Sequence, residues 1–194
     1  MRCFVAIELD PALRQPLVKL LREQLPRTRE VRWCSEQQLH VTLKFLGDVR
    51  DEQIPAICEA VAAAAGFVQP FALRLSGLGC FPSLRNPRVL WCGVEDATNG
   101  CARWLDLADP LFEELGFPRE TRAFHPHVTL GRGKSPAGGN VIRRVLEEAT
   151  APSTPEMTVT QVVLFESRLL PTGARYIPQL AARLGQPTGE DSGR

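Results

Sequence analysis

The chain carries the same four-letter frame twice: His40-Val41-Thr42-Leu43 and, about half the chain away, His127-Val128-Thr129-Leu130. Two of its three histidines fall in these frames, although only eleven of 194 residues are threonine. Each frame alternates with period two and is rich in β-branched residues, so each reads as a strand. His40 and Thr42 then share one face, and Val41 and Leu43 take the other, where they can enter a core. The second frame repeats the arrangement. The fold must therefore present two equivalent strands, each offering an imidazole beside a hydroxyl. If the strands face one another, an acid and a base flank one substrate group, and a phosphate suits that geometry.

Around the two frames, strands and helices alternate in two similar halves. Arg2 to Leu9 reads as a strand. Asp10-Pro11 starts a helix that runs to about Leu25, with Pro26 closing it. An extended piece at Val31 to Trp33 precedes the first motif strand, Leu39 to Val49, and Asp51 caps a helix ending near Gly66. Phe71 to Leu78 and Arg88 to Val94 alternate as antiparallel neighbours across a loop from Gly79 to Pro87. A helix from about Asn99 to Leu115 leads to the second motif. Ser135 to Asn140 reads as a Pro/Gly-rich loop before a helix from Val141 to Ala149. Thr158 to Ser167 and Ala174 to Leu180 are the last strands. The pattern favours an α+β fold with largely antiparallel sheets in two paired lobes over a doubly wound parallel sheet. Residues 1–185 read as one bilobal domain, and 186–194, polar and without apolar anchors, as a disordered tail.

Composition narrows the function. A formal net charge of +1 argues against coating duplex nucleic acid with a broad basic face, which relies on many phosphate contacts. A short or terminal piece of nucleic acid stays open. The six cysteines show no paired Cys-x-x-Cys spacing, and Glu8 and Asp10 interrupt the apolar start that a signal peptide would need. They read as reduced thiols of a cytoplasmic protein. No apolar stretch approaches the roughly 20 residues that span a bilayer.

Histidine titrates near neutral pH, so one of the pair can begin neutral and the other protonated. His40 and His127 are therefore the candidate catalytic residues. Thr42 and Thr129, on the same faces, are candidate donors to non-bridging phosphate oxygens, a stabilisation that needs no metal. Arg132 follows the second motif and would complement them as a bidentate phosphate partner. In a flat strand it lies opposite His127, so this role needs a bulge at Gly131 or an early strand end. Phe45 holds the corresponding offset in the first motif; a core position is the default there, and a stacking surface for a nucleobase the alternative. Lys44 shares the His40 face in a flat strand and would add positive charge or sit at the rim. His125-Pro126-His127 invites a metal reading, but no carboxylate or cysteine accompanies it at ligand spacing, so neither metal nor other cofactor is expected.

The motifs resemble those of the two-histidine phosphoesterases, specifically the RNA 2',3'-cyclic phosphodiesterases long called 2'-5' RNA ligases. The resemblance runs nearly end to end: Arg2 to Ile7, Leu39 to Gly47, Pro126 to Arg132, Leu164 to Ser167 and Gly173 to Tyr176. It implies a bilobal α+β fold with a pseudo-twofold cleft, two largely antiparallel sheets and outer helices, each lobe donating one motif. It also implies metal-free hydrolysis of RNA or nucleotide 2',3'-cyclic phosphate ends to 2'-phosphomonoesters; a monomer is expected, although the sequence does not display the oligomeric state. His127 would activate water and His40 protonate the departing 3'-oxygen, with 2'-5' ligation as a related activity of the same site. The competing readings are a nucleotide or RNA-end binding module without turnover, and a metallohydrolase built on His125 and His127.

Overall fold

The computed structural model describes residues 1–121, 123–170 and 173–186, so the expected tail lies almost wholly outside the described residues. The first half contains β1 (Arg2–Glu8), α1 (Pro11–Glu23), β2 (Val31–Trp33), β3 (His40–Asp48) and α2 (Ile54–Gly66). Then follow β4 (Phe71–Phe81), β5 (Val89–Glu95), α3 (Gly100–Glu114), β6 (His127–Gly133), α4 (Pro136–Glu148), β7 (Met157–Val159), β8 (Gln161–Leu170) and β9 (Gly173–Arg183).

Local chemistry accounts for the helices. The Asp10 carboxylate accepts from the Leu13 amide at 3.0 Å, and Pro11 occupies the first turn, where its missing N–H costs nothing. The helix α1 then buries Leu13, Leu17, Val18 and Leu20 along one stripe. Burying side chains of this size stabilises by about 1.5–3 kcal/mol each. Asp51 opens a 3-10 turn, and the α-helix begins only at Ile54. The expected loop at Ser135 to Asn140 is instead the start of α4: Ser135 caps it, Pro136 enters first, and Gly138 and Gly139 are buried in its opening turn. A Cβ on Gly138 would run into the Glu30 carbonyl and Gly133, so these glycines serve close approach of the helix rather than a flexible loop.

All paired strands are antiparallel, in the order β7-β4-β5-β6-β3-β1-β8-β9, with β2 also pairing β6. The two expected sheets are the halves β7-β4-β5-β6 and β3-β1-β8-β9, and they meet where β3 pairs β6. That junction is one residue pair, Val41 with Val128. These are equivalent positions of the two motifs, so a local twofold axis runs between them. The expected strand from Thr158 to Ser167 divides at Thr160: β7 pairs β4 at one end of the path, while β8 pairs β1 and β9 near the other. With one residue between them, β7 and β8 hold the two ends of the sheet close together, so the sheet is strongly curled.

The principal core includes Ile7, Val41, Leu43, Val128 and Leu130 from the central strands, with Leu17, Ile57, Trp104 and Ile142 from the four helices. A separate small cluster, Phe4, Ala6, Val163 and Phe165 with Tyr176 against it, lies on the other face of β1 and β8. Among the described residues no helix is long and apolar enough to cross a membrane.

Candidate active site

The Val41–Val128 pair fixes where the motif side chains go. Opposite residues of an antiparallel pair point to the same face, and their neighbours to the other. With both valines fully buried in the principal core, His40, Thr42, His127 and Thr129 all project from the reverse face, around the local twofold axis. All four are partly exposed there. The structure thus brings together the four residues that the duplicated frame singled out.

The two imidazoles are held in the same way. His40 Nδ1 lies 2.8 Å from the Gln38 carbonyl, and His127 Nδ1 lies 2.6 Å from the His125 carbonyl. A carbonyl only accepts, so Nδ1 carries the proton in both rings and Nε2 is left as the basic atom of the neutral form. In His40 that atom is 2.9 Å from the Thr42 hydroxyl, which donates to it. The residue two before each histidine is therefore part of the site through its backbone, a role no side-chain pattern announces.

Aromatic rings wall each imidazole. Phe4 stands 4.9 Å from the His40 ring and Tyr176 meets its edge at 5.2 Å, centre to centre. Phe81 and Trp91 stand 5.0 and 6.0 Å from His127. The sequence reading missed these four. For Phe4 the unbroken apolar run to Ile7 is an available signal, since it marks a strand covered on both faces; Phe81 and Tyr176 carry none of that kind.

Burial removes water from both rings and disfavours the imidazolium. It pulls His40 down to about 4, assisted by the charges of His127 and Arg132 and opposed by the bond to Gln38. His127 is lowered as well, again chiefly by burial, with Arg132 and His125 contributing and the bond to the His125 carbonyl opposing. Arg132 is therefore close enough to act on both histidines.

Its placement turns on a bulge. Trp91 pairs Thr129 but Leu90 pairs Gly131, so Leu130 is an extra residue in β6. The extra residue reverses the alternation. Val89, two residues from Trp91 and on the same face, pairs Arg132, which brings the arginine onto the His127 face. The burial pattern records it: Leu130 and Gly131 are both buried, and Arg132 is exposed.

The first motif contains the same device. Ala6 pairs Thr42 and Phe4 pairs Phe45, with one extra residue between in β3. Leu43 and Lys44 are both buried, and Phe45 is 67% exposed on the His40 face, its ring 6.1 Å from Phe4. The core position expected for Phe45 is thus corrected. Lys44 is corrected in the opposite sense. It turns inward, its Nζ 2.6 Å from Asp109 of α3 and 2.9 Å from the Pro118 carbonyl, and it takes no part in the histidine face. The reason is the shared bulge, which swaps the faces of the residues directly after it.

His125 contributes its carbonyl, and among the described residues no group of three or more His, Cys, Asp or Glu side chains is disposed to hold a metal. All six thiols are free. Burial raises Cys34, next to β6, to about 11, so it stays protonated at neutral pH.

The family model for LigT-like phosphoesterases matches the chain twice, over residues 7–91 and 93–176, one match for each motif. An RNA 2',3'-cyclic phosphodiesterase of Methanothermobacter thermautotrophicus is 32% identical over 94% of this chain and 98% of its own. The protein of the same name in Archaeoglobus fulgidus is 34% identical over 91% and 96%. Among solved structures, one from Thermus thermophilus superposes with a TM-score of 0.75 at 28% identity, covering 96% of this chain and 99% of that one. E. coli LigT complexed with 3'-AMP gives 0.73 at 27% identity over 95% and 98%.

Proposed function

The chain belongs to the LigT-like phosphoesterase family, and from that premise we propose that it hydrolyses RNA or nucleotide 2',3'-cyclic phosphate ends to 2'-phosphomonoesters without a metal. The observation that carries this reading is the convergence of His40 and His127, each with Nδ1 tied to a carbonyl and Nε2 left for proton transfer, on one face around a local twofold axis. The relatives' names supply the substrate class.

In this reading His127 Nε2 takes a proton from water as its oxygen bonds to phosphorus. The P–O3' bond breaks, and His40, protonated at Nε2, gives its proton to O3'. Thr42, Thr129 and Arg132 hold the non-bridging oxygens. Phe45 stacks on the nucleobase. Both rings are neutral at pH 7 before substrate arrives, so the acid gains its proton together with the phosphate, whose negative charge favours the imidazolium. A 5'-hydroxyl replacing water would give a 2'-5' linkage through the same steps. Residues 1–185 act as one bilobal unit in this scheme, because each half supplies one histidine.

The test is incubation with an RNA oligonucleotide carrying a 2',3'-cyclic end. Expected are a 2'-phosphate product, activity unaffected by chelator, and its loss in both His40→Ala and His127→Ala. A 3'-phosphate product overturns the acid and base assignment, and turnover in both variants overturns the whole scheme. Saturable binding of 2'-phosphorylated nucleotides with no turnover would instead favour a binding module.

A further inference from the structure

The short strand β2 lies along β6 just past the motif, and its register sets Arg32 directly opposite Arg132. Opposite residues share a face, with Cα atoms about 4.5–5.5 Å apart, so both guanidinium groups stand on the histidine side of the sheet. The neighbours confirm the parity: Val31 is buried in the principal core and Trp33 packs against it, over Gly131. Like charges placed directly across a ladder repel one another. Among the described residues neither arginine has an acidic partner, and both are exposed. The pair is therefore an unneutralised double cation at the edge of the site. The charge of Arg132 helps burial to lower both histidines, and Arg32 stands directly across the ladder from it. Rings flank both histidines, Phe4 and Tyr176 at His40 and Phe81 and Trp91 at His127, but among them and their neighbours Phe45 is the exposed one, at 67%.

We propose that Arg32 binds the phosphodiester on the 5' side of the terminal nucleoside, one phosphate beyond the one that Arg132 holds, and so makes the enzyme prefer oligonucleotide ends over mononucleotides. This rests on the function proposed above. The exposed ring of Phe45 receives the terminal nucleobase, Arg132 takes the reacting phosphate, and Arg32 takes the next anion along the strand. A second phosphate relieves the repulsion between the two guanidinium groups, which a mononucleoside cyclic phosphate, having a single phosphate, cannot do as fully.

The experiment compares wild type and Arg32→Ala on adenosine 2',3'-cyclic monophosphate and on a tetranucleotide with a 2',3'-cyclic end. The expected result is about a tenfold fall in kcat/KM for the tetranucleotide, carried by KM, with the mononucleotide within about twofold. Affinities for adenosine 2'-monophosphate and for the 2'-phosphorylated tetranucleotide are titrated alongside, and for the tetranucleotide the slope of log affinity against log salt should shrink by about 0.7, one single-strand phosphate contact. Arg32→Lys should restore part of the loss. An equal fall on both substrates, or no fall on either, overturns the proposal. If wild type turns over neither substrate, the function fails, and the binding titration alone then decides Arg32: a change confined to the tetranucleotide supports it, and an unchanged affinity and slope overturn it.

Discussion

Each histidine owes its behaviour to two contacts and to the water it lacks. The carbonyl of the residue two before it fixes the tautomer, and burial lowers the affinity of Nε2 for a proton. A reaction that needs one ring protonated and one neutral is fastest, per free enzyme and free substrate, midway between the two ionisations. With His40 near 4 and His127 below 6.5, the maximum of kcat/KM is expected on the acid side of pH 6.5, with a decline on the alkaline limb. Steady-state kinetics from pH 4.5 to 8.5 would test this, and a maximum at pH 8 would contradict it. Bound phosphate favours the imidazolium, so the kcat profile should lie at higher pH than that of kcat/KM. Phe45 makes a second case at this scale. Its ring is 67% exposed, so Phe45→Ala should leave the urea midpoint nearly unchanged. Loss of one stacked base, about 1–3 kcal/mol, should raise KM for a nucleotide by about tenfold with kcat little altered.

Among the elements, the paired bulges in β3 and β6 decide which side chains reach the substrate. Alternation along the sequence correctly places His40, Thr42, His127 and Thr129, because all four precede the extra residue. It fails for Lys44 and Phe45, which follow it, and leaves Arg132 undecided. A bulge is a property of two strands in register, and a single strand's sequence does not display the partner that skips a residue. Gly131 was the one usable hint in the second motif; in the first, Leu43-Lys44-Phe45 carries none. The inward turn of Lys44 gives a test. Removing one member of a buried ion pair strands the other charge, at a cost of about 3–5 kcal/mol, here reduced because Arg119 lies 3.6 Å from Asp109. Lys44→Met should therefore lower the urea unfolding free energy by about 2–3 kcal/mol while kcat/KM per folded molecule stays within a few-fold. A large kinetic loss with unchanged stability would mean that Lys44 faces the substrate. The α4 start was misread for a related reason, since proline and glycine mark helix entry and close packing as readily as loops.

For the molecule as a whole, the duplicated frame made an antiparallel α+β architecture and its local symmetry legible before any coordinates, while the curl that brings β7 beside β8 was not, because it depends on pairing at opposite ends of the sheet. Symmetry also ties stability to pH. Both histidines bind protons less readily folded than unfolded, so the unfolded chain takes them up first as pH falls below 6.5. Their contribution to stability is complete above that value, shrinks on acidification, and for His40 is gone by about pH 4. The unfolding free energy should therefore drop between pH 7 and 5, and His40→Gln should flatten the slope; a wild-type profile without slope would refute this origin. Glu95 and Glu166, held low by Arg74 and Arg168, begin to lose their own contributions only as pH falls below about 4.5. One further consequence follows from the single Val41–Val128 junction. Only the short β2–β6 ladder runs beside it, past the motifs, so at the histidines themselves the gap a proton donor and acceptor must straddle is gauged by four methyl groups. Trimming or enlarging those two side chains would retune the reach between the imidazoles, as turning a screw adjusts a calliper, without touching either jaw.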